Sequence, residues 1–283
     1  MQVYSVDTGM FKLDGGAMFG VVPKVIWNKL NPSDENNLCT WAMRCMLVVE
    51  GDRKILIDTG MGKKQSEKFF SHYYPHGDGE LVQSLDQLGF SVDEITDVIL
   101  THLHFDHCGG AVSFIDEKLL PTFPNATYWS NENHWNWAIH PNAREKASFL
   151  KENFVPIQEH GQLKFIEEIT GQKTRFSDNI EILFVHGHTK SMMLPLVHFN
   201  GKKICYMADL IPSSLHIPLP YVMGYDMFPM TTLIEKENYL EEALKEEHIL
   251  FFEHDPFSEC CTIEKTEKGY KRKDCFNLDV LTD

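Results

Sequence analysis

Ten consecutive residues constrain this chain more than any other stretch: Thr101-His102-Leu103-His104-Phe105-Asp106-His107-Cys108-Gly109-Gly110. The apolar run before them, residues 95–101, reads as a buried strand. His102 and His104 are two apart at its end, so both imidazoles can point the same way. Asp106 and His107 then fall in a turn and can face a second point nearby. Imidazole with carboxylate suits Zn²⁺ or another borderline first-row ion. Three later residues follow apolar runs and can sit at strand ends: His188 after ILFV through His186-Gly187, Asp209 after KKICYMA, and His254 after ILFFE. With the first four they make seven ligand-type residues, more than one tetrahedral ion takes. Any fold for this chain must bring these scattered strand ends to one place.

The rest of the pattern supplies the strands. Residues 2–8, 39–49, 54–57, 126–129, 180–185, 194–198, 203–208 and 249–253 read as strands, and the polar tail from Thr262 has room for one more. Helical spacing marks 79–88, a helix starting at 131–137, a charged stretch at 142–154, and an amphipathic helix at 235–247. Strands dominate both halves with helices interleaved, which predicts two packed sheets with helices outside, in one domain over 1–283. Composition excludes some functions. Asp and Glu number 41 against 26 Lys and Arg, a formal charge of −15. Nucleic acid and anionic membrane are therefore poor partners. The one basic cluster, Lys268, Lys271, Arg272 and Lys273, reads as solvated surface. Seven cysteines without regular spacing, and no leader-like start, point to reduced thiols and a cytoplasmic location. No run of 18 apolar residues is present, so no membrane span is expected.

The run 102–107 with Gly109-Gly110, the Gly187-His188-Thr189 turn, Asp209, His254 and the early Asp58-Thr59-Gly60 turn resemble the metallo-β-lactamase superfamily. The resemblance covers about residues 40–256. It implies an α+β fold, a four-layer αβ/βα sandwich of two mixed sheets flanked by helices, with the metal site at one edge. It places His102, His104 and His188 at a first metal, Asp106, His107 and His254 at a second, and Asp209 as a bridge. His186 competes with His188, which holds the Gly-His-Thr position. Asp58 reads as a carboxylate behind the ligands, orienting an imidazole.

Within the superfamily, 14–24 and Asp209-Leu210-Ile211-Pro212 resemble the N-acyl homoserine lactonases and their methyl-parathion-hydrolase-like relatives. Segment 10–38 is then expected to border the substrate pocket or a homodimer contact, with Met18 and Phe19 as an apolar wall and Tyr221 and Tyr225 nearby. Some lactonases carry a Tyr three residues after the bridging Asp; this chain has Pro212. His216 is the substitute donor expected from the Pro-rich loop that follows. The function implied is hydrolysis of a carboxylic ester, a lactone such as an N-acyl homoserine lactone, by a hydroxide shared between two divalent ions. Zn²⁺ is the first candidate, with Fe, Mn or Co also compatible, and Asp106 and Asp209 serve the chemistry. A phosphotriesterase or another ester or thiolester hydrolase is the near alternative, and a non-catalytic metal-binding sensor the distant one.

Overall fold

The structure, a computed structural model, describes residues 1–281. In the N-terminal half β1 (Gln2–Asp14), β2 (Leu38–Glu50), β3 (Arg53–Ile57), β4 (Asp97–Ile99), a hairpin of β5 (Val112–Ile115) and β6 (Lys118–Pro121), β7 (Thr127–Ser130) and β8 (Leu163–Phe165) follow one another. Six of them form a mixed sheet in the order β1-β2-β3-β4-β7-β8. Its first three strands run antiparallel and its last four parallel. The C-terminal half contributes β9 (Thr174–Arg175), β10 (Ile180–Val185), β11 (Met192–Phe199), β12 (Lys202–Tyr206), β13 (Ile249–Phe251), β14 (Cys260–Thr266) and β15 (Gly269–Phe276). They form a second sheet in sequence order, antiparallel except for the β12–β13 pair. That parallel pair needs a crossover, and the helix Pro229–Lys245 supplies it.

Alternation along each strand explains the layering. On β2 and β3, Met46, Val48, Ile55 and Ile57 face the second sheet and join Ile182, Leu194, Leu196 and Tyr206 in one core. Cys45, Leu47 and Leu56, one residue out of phase, face outward onto Leu81, Leu85 and Trp135 of two covering helices. Both faces are buried, which is why these strands read as continuous apolar runs. Tyr239, Leu240 and Ala243 of the crossover helix cover the other side. The order helix, sheet, sheet, helix is the sandwich expected from the sequence.

Two local expectations are corrected. The stretch 142–154 is not helical: it forms turns and one 3₁₀ turn, Lys151–Asn153, ahead of a short helix, Val155–Glu159. The Asn142 side chain accepts from the Arg144 and Glu145 amides, and the Glu145 carboxylate is drawn inward to Trp137 and Thr189. Those hydrogen bonds compete with a helical ladder. The tail holds two strands, β14 and β15, paired as a hairpin. Lys268 lies at its turn, and Lys271 of β15 pairs with Glu264 at 3.0 Å.

Five strands, β3 and β4 of one sheet and β10, β12 and β13 of the other, end at the same edge. Asp58, His102, His188, Asp209 and His254 follow those five ends. No helix among the described residues is long and apolar enough to cross a membrane.

Candidate metal centre

The chain leaves β4 at Ile99 and turns at Thr101, which Asp58 anchors. Asp58 is wholly buried and has a φ of +58°; its carboxylate accepts from the Thr101 amide at 2.7 Å and the Thr101 hydroxyl at 2.6 Å. His102 and His104 leave that turn, and the one-turn helix Phe105–Cys108 swings Asp106 and His107 to the other side. The Leu103 amide between the two histidines donates to Nε2 of buried His134, whose Nδ1 faces the Lys190 carbonyl at 2.6 Å. Burial holds His134 neutral, down to about 4, so it acts as this acceptor at neutral pH.

Each of five buried imidazoles has one nitrogen turned outward to an acceptor. His188 Nδ1 meets Asp226 Oδ1 at 2.8 Å, and His254 Nδ1 meets the Ala42 carbonyl at 2.8 Å. His107 Nδ1 lies 2.8 Å from Glu253 Oε2 and 3.1 Å from Asp58 Oδ2. His102 Nδ1 faces the Thr101 hydroxyl at 3.1 Å, and His104 Nε2 faces Glu145 Oε1 at 3.5 Å. With the outward nitrogens protonated, the inward ones are lone pairs. They converge: His188 Nε2 is 3.2 Å from His104 Nδ1, and His254 Nε2 is 3.2 Å from His107 Nε2. Asp209 lies between the two sets, with Oδ2 3.0 Å from His188 Nε2 and 3.6 Å from His107 Nε2, and Oδ1 3.3 Å from His254 Nε2.

Two groups of ligand atoms result, His102, His104, His188 with Asp209, and Asp106, His107 with His254. The first is fully buried. His102 Nε2 and Asp209 Oδ1 have no hydrogen-bond partner. Facing lone pairs and orphaned acceptors among buried side chains are costly unless a cation joins them, so these residues fit a pair of divalent ions. The electrostatics divide the rings. Burial, reinforced by His107 and His104, lowers His102 well below the usual imidazole range, the neutral form a ligand needs. Against the burial that disfavours their charge, Asp209 and the neighbouring carboxylates push His188 up to about 10, and push His107 and His254 up as well; His188 and His107 in turn hold the Asp209 carboxylate ionised. A bound cation would take the place of those protons.

His186 is half-exposed, with Nε2 3.3 Å from Glu168 and Nδ1 accepting from the Ser191 amide, so it points away from the ligand groups. Met18 and Tyr225 line a cavity of about 350 Å³ that opens onto His104, Asp106, His188, Asp209 and His254. Leu13, Ala17, Phe105 and Met223 make its remaining apolar wall, and Tyr73, Arg144 and Ser148 its polar one. Phe19 and Tyr221 do not line it. Phe19 stacks on His216 at 4.7 Å and on Trp27 at 5.4 Å, and Tyr221 meets its edge.

His216 is the main correction. It is fully buried, off the cavity, with both ring nitrogens engaged: Nδ1 with the Ser213 hydroxyl at 2.7 Å and Nε2 with the Met18 carbonyl at 3.0 Å. Burial, then the charge of Lys236, holds it neutral down to about 3. It ties the 212–226 loop to the N-terminal segment and has no nitrogen left for a substrate. Buried Lys236 grips the same loop, donating to the Pro218 and Tyr221 carbonyls at 2.9 Å each.

From the sequence Asp226 stood only as part of the Tyr225-Asp226 resemblance to the lactonase branch, without a role, and Glu253, Glu145, Tyr73 and Arg144 were not singled out. Glu253 next to His254 is the one that carried a hint, an acid closing the apolar run ILFFE.

Two sheets with five histidines and two aspartates at their shared edge define a class, the metallohydrolases built on an αβ/βα sandwich. The chain belongs to the metallo-β-lactamase superfamily, whose model matches residues 44–254, and is a metal-dependent hydrolase of that group. It is 24% identical over 267 residues to the N-acyl homoserine lactonase AiiA of Bacillus thuringiensis subsp. kurstaki, covering 90% of this chain and 93% of the relative. A probable metal-dependent hydrolase from Staphylococcus aureus superposes with a TM-score of 0.87 at 25% identity, over 97% of this chain and 96% of that one. AidC, a dizinc quorum-quenching lactonase, shares the fold with a TM-score of 0.78 at 21% identity, over 96% and 93%.

Proposed function

We propose that this chain hydrolyses a carboxylic ester, a lactone such as an N-acyl homoserine lactone, with two divalent ions. His102, His104 and His188 would hold one, Asp106, His107 and His254 the other, with Asp209 available to both. The observation that carries the reading is Asp209 standing between two converging sets of lone pairs at the floor of a largely apolar cavity. When bound, such ions supply Lewis acidity and a water acidified toward neutral pH. Zn²⁺ suits this donor set best.

The chain's own residues do the rest. Asp226 and Asp58 hydrogen-bond the rings of His188 and His107 from behind, and Glu253 and Glu145 lie 2.8 Å and 3.5 Å behind His107 and His104. Asp209 Oδ1, free of any hydrogen bond from the protein, is the group that takes a proton from the attacking water and returns it to the departing oxygen. Met18, Phe105 and Met223 exclude water around the reacting carbonyl. Pro212 has no N–H to offer, and its carbonyl accepts from the His254 amide. The cavity wall offers two phenols, Tyr73 and Tyr225, as oxyanion donors, and we assign the role to Tyr225, on the loop that follows Asp209. Loss of water around the phenol, although the residue is exposed at its edge, with Asp14 and Tyr73 nearby, raises its pKa, so it stays protonated.

The reading is tested by a hydrolysis screen on metal-reconstituted protein with lactones of varied acyl length, linear esters, thiolesters and phosphotriesters. Turnover of lactones or esters above the rest supports it. Preference for phosphotriesters replaces the substrate class, and inertness toward all four points to a binding role.

A further inference from the structure

The lining of the cavity carries one positive charge outside the ligand groups, and no ion pair matches it. Among the described residues Arg144 is the only lysine or arginine lining the cavity. Its guanidinium donates to the backbone carbonyls of Gly224 and Asp226, and among the described residues no carboxylate lies within ion-pair distance of it. Two of its five N–H groups suffice for those carbonyls, so donors remain for a ligand. The carboxylates that share the cavity are committed. Asp106 and Asp209 belong to the ligand groups, and Glu145 is held by Thr189, Trp137 and Asn142.

Arg144 is solvent-exposed, and its guanidinium is tethered by those two carbonyls. Asn142 Oδ1 caps its amide at 2.8 Å, and the next residue, Glu145, reaches the ligand histidine His104. The Tyr73 phenol stands on the same wall with no side-chain hydrogen bond from the protein, and burial pushes its pKa up to about 12, so it is also a donor. A wall of donors with an unpaired cation matches a ligand bearing an acceptor-rich anion. In a chain with a formal charge of −15, an anionic ligand is repelled by the surface at large. A local guanidinium is then what admits it.

We propose that the substrate of this centre carries a negative charge, a carboxylate, away from the ester that is cleaved, and that Arg144 selects it. This rests on the ester-hydrolase reading above. Arg144 grips the remote carboxylate, which sets the scissile carbonyl over Asp209.

The test compares 4-nitrophenyl hydrogen glutarate with 4-nitrophenyl pentanoate, esters of similar length that differ in the terminal charge, on metal-loaded protein. The expected result is a kcat/KM ratio of at least about tenfold in favour of the charged ester, carried mainly by KM, and shrinking with added salt. In Arg144→Gln the ratio collapses toward one, in Arg144→Lys part of it survives, and in Arg144→Glu it inverts. A wild-type ratio of one or less, or a ratio that Arg144→Gln leaves unchanged, overturns the proposal. Calorimetry with glutarate and pentanoate separates the two failures. If no ester or lactone is cleaved, the ester-hydrolase reading falls; Arg144-dependent preference for glutarate then still supports the anion site, and its absence overturns that as well.

Discussion

Replacing His216 by alanine separates a scaffold histidine from a catalytic one. The ring is fully buried, stacked on Phe19 at 4.7 Å and tilted against Trp41 at 5.7 Å, with both nitrogens hydrogen-bonded. Truncation opens a ring-sized cavity, which for buried aromatics costs about 3–5 kcal/mol. It also strands the Met18 carbonyl and the Ser213 hydroxyl, at roughly 1–3 kcal/mol for each group left without a partner. Relaxation and water entry overlap these losses, so the expected destabilisation is about 3–5 kcal/mol. For a chain of this size that lowers Tm by roughly 10 °C. The assay is thermal and urea unfolding of the metal-loaded protein beside turnover of the folded fraction. kcat should fall by far less than the roughly 10²–10³ that loss of an oxyanion donor brings. KM should rise, because the backbone of the cavity residue Met18 is released. His216→Gln, which can still donate to the Met18 carbonyl, should recover part of the stability. An unchanged Tm with a hundredfold loss of kcat would refute the scaffold role and return His216 to the chemistry.

The same ring sets a pH dependence. Folded His216 resists protonation down to about 3, whereas the unfolded ring titrates near 6.5. Its contribution is therefore complete above pH 6.5 and is lost as pH falls toward 3. Urea midpoints measured between pH 7 and 4 should fall more steeply for wild type than for His216→Ala. Elemental analysis of protein purified without chelator should approach two metal equivalents per chain, and chelation should lower Tm; a stoichiometry that stays at one after reconstitution defeats the dinuclear reading. Asp226→Ala removes the acceptor 2.8 Å from His188 Nδ1 and should weaken one metal equivalent by about 10–100-fold in a chelator competition, while His186→Ala leaves both in place. Tyr225→Phe should lower kcat on the best ester by about 10²-fold or more with metal content intact; less than a twofold change removes Tyr225 from the reaction.

What could be read from the chain alone was whatever depends on local spacing. His102 and His104 two apart at a strand end, and Asp106 and His107 in the following turn, have their relative directions set by strand and helix geometry over a few residues. His188, Asp209 and His254 were legible because each follows an apolar run, and in a sandwich such runs end at a common edge. The buried strands announced themselves through composition, since both faces of β2 and β3 are covered. Spacing failed where a side chain chose a distant partner. Asp226 reaches His188, Glu145 reaches His104 and Thr189, and the Ala42 carbonyl takes His254 Nδ1, contacts that join segments dozens to hundreds of residues apart. Residues 142–154 carry a helical composition, but the inward pull on Glu145 outweighs the small per-residue helix preference. His216 followed Asp209 closely enough in sequence to suggest a role over the site. Only the packing of the 212–226 loop against Met18, Phe19 and Lys236 decided that its ring would be sealed inside, because burial and hydrogen-bond partner are properties of the approach of two segments and not of either one.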